Sequence, residues 1–261
     1  MKKLLLILMV LFILPQLVEA KEVIVIEVNG PITTGTLELF KAGLEKAQEI
    51  DAEALIVTLD TPGGGLTETL EIIKLIDRSE IPVISYVNPT GATAWSAGTM
   101  ILVSSHVAAM TPNTVIGSAQ PASVSVQGFS TINESKIINA LTTLLSEKAR
   151  VHGRNESASV TFITENLNLN PDEAKKIGVI EFISPNTKDL LSQINGLRLN
   201  STIKKTLSTK DAEIIKFKPS LRIRFLSVIA NPTLASIFLI IGIYALIFGL
   251  SSPGFGSEIA G

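Results

Sequence analysis

The 261-residue sequence contains no cysteine and only two histidines, His106 and His152. Without cysteine, the chain has no thiol nucleophile, no disulfide and no cysteine-ligated zinc site. Basic and acidic residues nearly balance, with a formal net charge of −2, so no nucleic-acid partner is expected. No Gly-Lys-Ser/Thr sequence follows the glycine-rich stretch at residues 63–65, which excludes a P-loop there. Chemistry that needs thiols or a bound nucleotide is therefore not indicated.

The first twenty residues have the pattern of a secretory signal peptide. Met1–Lys3 is basic, Leu4–Leu14 is an uninterrupted apolar run, and Val18-Glu19-Ala20 offers small residues for cleavage. We predict a signal peptide at residues 1–20, removed after Ala20. An uncleaved anchor is the alternative, although the apolar run is short for a full membrane span.

The other end of the chain predicts a transmembrane helix and tail at residues 225–261. No charged residue lies between Phe225 and Leu250, and a bilayer core needs about 20 apolar residues in a helix. A buried core helix is the alternative. An export signal would place the middle of the chain outside the cytoplasm, and the C-terminal helix would anchor it to a lipid bilayer. The basic residues before the helix (Lys216, Lys218, Arg222 and Arg224) conflict with the positive-inside rule, and contact with anionic head groups is an alternative role for them.

Short β-branched runs alternate with amphipathic segments between residues 21 and 195. Val23–Val28, Ala54–Leu59 and Pro82–Val87 are typical of strands, and helical spacing follows the first two. This alternation predicts an α/β domain with parallel strands. Residues 196–224 are polar and then basic, and we interpret them as a linker and juxtamembrane segment.

Two segments could carry chemistry. Gly63-Gly64-Gly65 follows a predicted strand, where its backbone N–H groups could hold an oxyanion, although most such loops are only turns. Ser96 lies among small residues in Gly91–Gly98, where a helix start would favour developing negative charge; close helix packing is the alternative.

A serine nucleophile needs a base. His106 and His152 are each more easily structural or solvent-facing than catalytic, which leaves lysine as the candidate. Lys136 is predicted to lie in the first turn of a long helix capped by Asn133. Burial against neighbouring isoleucines (Ile132, Ile137 and Ile138) would favour its neutral form, whereas a solvated surface lysine is the alternative.

Three motifs together resemble a known family. Asp60–Gly64, Gly91–Gly98 and Pro112–Gly117 are similar in order and spacing to the NfeD-type membrane serine proteases of the ClpP class. The resemblance covers residues 22–195 and continues into the C-terminal apolar segment. It implies a ClpP/crotonase-like α/β fold and a stomatin-like membrane protein as partner.

By position in these motifs, the resemblance implies that Ser96 is the nucleophile and that Gly64 and Ala97 supply the oxyanion hole. In soluble ClpP a catalytic histidine precedes a Gln-Pro pair, but Ala119 occupies that position here, before Gln120. This departure matches the Ser–Lys version of the site, in which Lys136 is the base. Lys148 is the fallback candidate.

The function implied is a membrane-anchored, ATP-independent serine endopeptidase that uses a Ser–Lys dyad and needs no metal or other cofactor. Its substrates would be apolar segments of membrane-associated proteins, such as a stomatin-like partner. The protease domain would be extracytoplasmic and the chain a homo-oligomer, dimeric or larger. The alternatives are a non-catalytic ClpP-fold scaffold that binds a stomatin-like protein and a crotonase-like acyl-CoA enzyme.

Overall fold

The computed structural model describes residues 21–125, 128–131 and 134–251. The predicted signal peptide and the end of the tail lie outside these residues. The helices are α1 (Thr34–Glu49), α2 (Leu66–Arg78), α3 (Ala97–Ser104), α4 (Ser135–Val151), α5 (Glu156–Thr164), α6 (Pro171–Lys176), α7 (Thr187–Ile194), α8 (Leu221–Ile229) and α9 (Pro232–Ser251). The strands are β1 (Glu22–Asn29), β2 (Ala54–Asp60), β3 (Val83–Val87), β4 (Thr93–Trp95), β5 (Val107–Met110), β6 (Val115–Gly117), β7 (Ala122–Ser125), β8 (Gly128–Thr131), β9 (Asn168–Leu169), β10 (Phe182–Ile183), β11 (Arg198–Asn200), β12 (Lys204–Thr206) and β13 (Glu213–Lys216).

The core of the fold is a parallel sheet with strand order β10-β5-β3-β2-β1-β13. Its central strands are rich in β-branched residues because both faces of a parallel sheet are covered. Along β1, Ile24 and Ile26 enter one hydrophobic cluster, whereas Val23 and Val25 enter a second cluster across the sheet. The predicted α/β class with parallel strands is confirmed.

Amphipathic helices cover the two faces. Phe40 of α1 and Ile72 of α2 pack in the cluster that contains Ile24, and Leu190 of α7 packs in the opposite cluster. A smaller sheet of order β4-β6-β9 lies beside the main one. Because β2 and β3 are parallel neighbours, the loops that leave their carboxyl ends emerge at the same edge, as expected for a ligand-binding edge of an α/β sheet.

The prediction of a linker at residues 196–224 is wrong for most of that segment. β13 pairs in parallel with β1 and adds a sixth strand to the main sheet, with Ile24 opposite Ile215. β11 and β12 form a hairpin, and Leu199 and Leu207 are buried in the second cluster. An edge strand exposes polar side chains on one side, so the polar composition of this segment suggested a linker although it folds onto the domain.

The predicted start of the transmembrane helix at residue 225 is also corrected. Phe225 belongs to α8, which packs against α1 through Ser227 and Gly35. The helix ends at Ile229, and Ala230 and Asn231 separate it from α9. The Asn231 side chain accepts the Thr233 N–H at 3.0 Å and thereby caps α9. In the described part of the chain, α9 is the one helix long and apolar enough to cross a membrane, with a mean hydropathy of 2.4 over Thr233–Leu250 and no buried residue.

We predict that the chain needs residues 196–217 to fold stably. A chain ending at Asn195 would lose β13 and expose the surface that Leu199 and Leu207 cover. Because burying one leucine contributes about 1.5–3 kcal/mol, its free energy of unfolding should fall by several kcal/mol relative to a chain ending at Pro219. Urea denaturation followed by circular dichroism measures both, and equal midpoints would show that the segment is only a linker.

Candidate active site

Ser96 stands at a sharp turn between β4 and α3. Its backbone has φ 51° and ψ −111°, a conformation that is rare for a residue with a side chain and is found at functional sites. The Ser96 N–H donates to the Gly117 carbonyl at 2.9 Å, which fixes the turn to β6. Ser96 is half-buried and directly precedes the first turn of α3.

The loop after β2 runs alongside this turn. The Thr61 N–H donates to the Thr93 carbonyl at 2.7 Å, and the Trp95 N–H donates to the Thr61 carbonyl at 3.0 Å. These two bonds form a parallel bridge between Thr61 and Ala94. The bridge brings the predicted glycine-rich loop and the predicted nucleophile together.

Two glycines permit this close approach. Gly63 has φ +107°, and a Cβ there would lie 2.7 Å from Ser96 Cβ. A Cβ at Gly98 would lie 2.6 Å from Thr61 Cγ2, so α3 could not approach the loop with a larger residue. The small residues around Ser96 thus serve close packing, and a role for Ser96 as nucleophile stays a prediction.

The backbone N–H groups of Gly64 and Ala97 are available donors. Ile32 brackets Gly64: its N–H donates to the Gly63 carbonyl at 2.8 Å, and its carbonyl accepts the Gly65 N–H at 2.9 Å. The Gly64 N–H therefore faces away from Ile32. Ala97 is the first residue of α3, where N–H groups have no partner within the helix. Neither N–H has an acceptor among the residues the structure describes.

Two threonines that the sequence analysis did not single out hold this arrangement. The Thr99 hydroxyl donates to the Ala94 carbonyl at 2.7 Å and accepts the Gly117 N–H at 2.8 Å, so it ties both ends of the Ser96 turn together. The Thr61 hydroxyl accepts the Gly63 N–H at 3.1 Å. A threonine that follows a strand and precedes Pro-Gly often bonds its own loop, and this was the available signal.

Lys136 lies at the second position of α4 but is exposed, so its predicted burial is wrong in this conformation. The residue that precedes the helix as its cap is Glu134; the predicted cap, Asn133, lies outside the described residues. Between the two described side chains of Lys136 and Ser96 there is no hydrogen bond.

Ala119 occupies the position in which soluble ClpP has its catalytic histidine. It is buried, and its N–H donates to the Phe162 carbonyl at 2.8 Å.

The fallback lysine has another partner. Lys148 Nζ lies 2.6 Å from Asp77 Oδ2, in a partly buried ion pair that joins α4 to α2. Lys148 is three turns along α4 from Lys136, which corresponds to about 18 Å at 1.5 Å per residue. Its amine is engaged by a carboxylate that links two helices, so Lys148 is a structural residue in this arrangement.

The two histidines have the surroundings of structural residues. His106 Nδ1 accepts the Val83 N–H at 3.0 Å, Nε2 lies 3.0 Å from Thr202 Oγ1, and the ring meets His152 edge to face at 5.6 Å. Burial, reinforced by the charge of Arg154, lowers the pKa of His106 to about 4 and that of His152 to about 3. Both rings are therefore neutral near pH 7. Their packing supports the structural role predicted for them.

A metal centre has no support in this part of the chain. Among the described residues, no group of three or more His, Asp or Glu side chains could hold a metal ion. The site at Ser96 is built from backbone N–H groups, hydroxyls and apolar side chains. Such an arrangement is chemically suited to nucleophilic attack by a hydroxyl with stabilisation of an oxyanion.

The sequence profile of the NfeD1b N-terminal domain matches residues 22–214. The chain belongs to this family. It is 38% identical over 259 residues to the membrane-bound protease PH1510 of Pyrococcus horikoshii and 26% identical over 251 residues to the membrane protein NfeD1b of Bacillus subtilis. These matches cover 97% and 91% of this chain, which spans 59% and 53% of the lengths of these two curated relatives.

Solved structures of the Pyrococcus protease domain share the fold. The 1510-N stomatin-specific protease, as a lysine-to-alanine mutant in complex with a substrate peptide, superposes with a TM-score of 0.76 and 36% identity over 82% of this chain and all of that one. Its serine-to-alanine mutant gives a TM-score of 0.73 at 37% identity, over 78% of this chain and all of that one. The NfeD-type family and the α/β fold class with parallel strands, both predicted from the sequence, are confirmed.

The buried histidines predict a loss of stability in acid. Both folded-state pKa values lie below the ordinary value of 6.5, so the unfolded chain binds more protons once the pH falls below about 6.5. Stability is complete above that pH and decreases toward the folded-state pKa values. Between pH 7.5 and 5, the free energy of unfolding should fall by about 2 kcal/mol for each histidine.

Urea denaturation at several pH values measures this loss. Above pH 5 the carboxylates contribute little, so the slope reports mainly the histidines. The His152→Leu variant should lose about half of the pH dependence. A slope that is the same in the wild type and in this variant would contradict the assignment.

Proposed function

We propose that this chain is a membrane-anchored, ATP-independent serine endopeptidase with a Ser96–Lys136 dyad. The observation that carries the proposal is the Ser96 turn, which places a hydroxyl at a helix start beside two backbone N–H groups without acceptors in the described structure. The names of the Pyrococcus relatives support it, since they describe a membrane-bound, stomatin-specific protease with a substrate peptide bound. The membrane-bound protease PH1510 is longer than this chain, and the solved 1510-N structures contain its protease domain.

The reaction is acyl transfer. Ser96 Oγ attacks the scissile carbonyl, and neutral Lys136 accepts the hydroxyl proton and later passes it to the leaving amine. The N–H groups of Gly64 and Ala97 donate to the oxyanion that forms on the carbonyl oxygen. Water then hydrolyses the acyl-enzyme. No step requires ATP or a metal ion.

Lys136 must approach Ser96 for this chemistry. Catalytic hydrogen bonds are often absent before substrate binds and form in the complex. A bound peptide would cover the site and exclude water, which favours the neutral form of a lysine. A neighbouring protomer in a homo-oligomer could cover the start of α4 in the same way, and we include a dimer or larger assembly in the proposal.

The surface beside Ser96 suits apolar substrates. Outside α8 and α9, the large apolar side chains exposed in the described structure are Leu66 (37% exposed) and Trp95 (40%). Leu66 follows the Gly63–Gly65 loop, and Trp95 directly precedes Ser96, so both flank the site. An apolar segment of a membrane-associated protein, such as a stomatin-like partner, would cover them.

The membrane location rests on α9. Its composition fits a bilayer span, and the family relatives are described as membrane proteins. We propose that α9 anchors the chain in the lipid bilayer and that the protease domain is extracytoplasmic, as the export signal in the sequence predicts.

The dyad is tested by three single variants. Ser96→Ala should lose labelling by a fluorophosphonate probe and reduce cleavage of an apolar peptide by about 10³-fold or more, because the nucleophile is gone. Lys136→Ala should reduce cleavage by about 10²–10⁴-fold while the fold is retained, since Lys136 is exposed and acts only as a base. Hydrolysis of a fluorogenic peptide measures both.

Lys148→Ala is the matched control. It should retain probe labelling and most of the activity while thermal stability decreases, because the ion pair with Asp77 is lost. If the wild-type chain neither reacts with the probe nor cleaves peptides, the domain is a binding scaffold. Acyl-CoA binding with activity that survives Ser96→Ala would instead identify a crotonase-like enzyme.

We also predict that Leu66 and Trp95 set the preference for apolar residues. Leu66→Ala should weaken binding of an apolar peptide to the Ser96→Ala protein by about tenfold, since the lost apolar contact contributes about 1–2 kcal/mol. Trp95, the only tryptophan, reports binding through its fluorescence. Binding of a polar peptide of the same length should be unaffected, and an equal loss for both peptides would disprove a role in specificity.

A further inference from the structure

α8, which precedes the candidate transmembrane helix α9 in the sequence, carries an exposed apolar face. Leu221, Phe225 and Val228 are 80%, 64% and 47% exposed, and Ile229 is also exposed. At about 100° per residue, these positions fall on one side of the helix. A soluble protein rarely leaves such a contiguous apolar surface uncovered.

The opposite side of α8 is fixed to the domain. Ile223 is buried, and Ser227 packs so closely against α1 that a Cβ at Gly35 would lie 2.5 Å from Ser227 Cα. The Ser220 side chain accepts the Ile223 N–H and caps the helix. The orientation of the apolar face is therefore set by the fold and does not depend on a flexible tether.

Basic residues border the apolar face. Arg222 and Arg224 lie on its two flanks, about 80° on either side of the centre of the face. Both are exposed, and Lys218 precedes the helix. An apolar face bordered by arginines is the pattern of a helix that lies in the lipid head-group layer, where long basic side chains reach the phosphates.

The connection to α9 supports the same occupant. Only Ala230 and Asn231 separate α8 from α9. If α9 crosses a bilayer, its first residues are at the membrane surface, and two residues cannot carry α8 far from it. A bilayer surface thus meets the apolar face without any further partner.

The same contact lies close to the candidate active site. Gly35, against which α8 packs, is in the first turn of α1, three residues after Ile32. Ile32 holds the Gly63–Gly65 loop through two backbone hydrogen bonds. A short, rigid path therefore joins α8 to the loop beside Ser96.

We propose that α8 lies flat in the head-group layer of an anionic bilayer and thereby holds the Ser96 site at the membrane surface. The proposal rests on the membrane location given under the proposed function. It identifies α8 as the element that orients the domain. It also gives the basic residues before the span a role in binding head groups.

Site-directed labelling of the full chain in vesicles that contain phosphatidylserine tests the proposal. Because the chain has no cysteine, single Phe225→Cys or Leu221→Cys substitutions can each carry an environment-sensitive fluorophore. Their emission should shift to the blue, and nitroxides near the lipid head groups should quench it more than nitroxides deep in the acyl chains. Iodide, which stays in the buffer, should quench these two labels much less than it quenches a label at a site exposed to buffer.

Two matched labels separate the possible results. A label at Lys188→Cys, in α7 on the other side of the sheet, should be quenched by iodide alone. A label at Ile240→Cys, in the middle of α9, should be quenched by nitroxides deep in the acyl chains. If the Ile240 label is deep while the α8 labels remain open to iodide, α8 is not interfacial although α9 spans the membrane. If both are open to iodide, the membrane location itself is wrong, whatever the peptidase assay shows.

A second copy of the chain is the competing occupant of the α8 face. Phe225→Cys protomers would then cross-link, and the cross-linking would decrease on dilution with lipid. Quenching by head-group nitroxides would be lost at the same time, and this result would overturn the proposal.

The charge component is tested by R222Q combined with R224Q. These substitutions should weaken head-group quenching of the Leu221 label in anionic vesicles, and no change would exclude head-group binding by the arginines.

Discussion

The candidate site depends on the close backbone contact between the loop after β2 and the turn that carries Ser96. The Thr61 N–H donates to the Thr93 carbonyl and the Thr61 carbonyl accepts the Trp95 N–H, and these two bonds hold the segments together. Gly63 supplies the space in which the Ser96 side chain lies. At such separations a single added carbon forces one segment to move, because packed backbones have no free volume to absorb it. The position of the hydroxyl relative to the Gly64 N–H is therefore a consequence of packing.

Parallel strands make this contact possible. Adjacent parallel strands deliver their outgoing loops to one edge, so residues 60–65 and 88–96 meet although thirty residues separate them. The start of α3 then adds N–H groups whose partial positive charge favours an oxyanion. The strained backbone of Ser96 is tolerated because Gly117 and Thr99 hold both sides of the turn.

Local sequence predicted the features that depend on local chemistry. The buried strands, the glycine-rich loop and the serine at a helix start all follow from neighbouring residues. β13 was missed because its identity as a strand depends on pairing with β1, and Ile24 and Ile215 are nearly two hundred residues apart. The role of Thr99 was missed for the same reason, since its hydroxyl bonds Gly117, eighteen residues away. The Thr61 hydroxyl bonds Gly63 within its own loop, so its local signal was present but was not used.

The exposed position of Lys136 is the harder problem for a Ser–Lys mechanism, and the geometry of α8 bears on it. Desolvation favours the neutral form that a base requires, so the site needs an event that removes water from it. An apolar segment that emerges from a bilayer would cover Leu66 and Trp95 first, because they flank Ser96. If α8 holds this edge against the membrane surface, the apolar substrate is itself the molecule that excludes water from the site. Selectivity for membrane-associated segments would then follow from activation of the base, since polar peptides would leave Lys136 exposed to water.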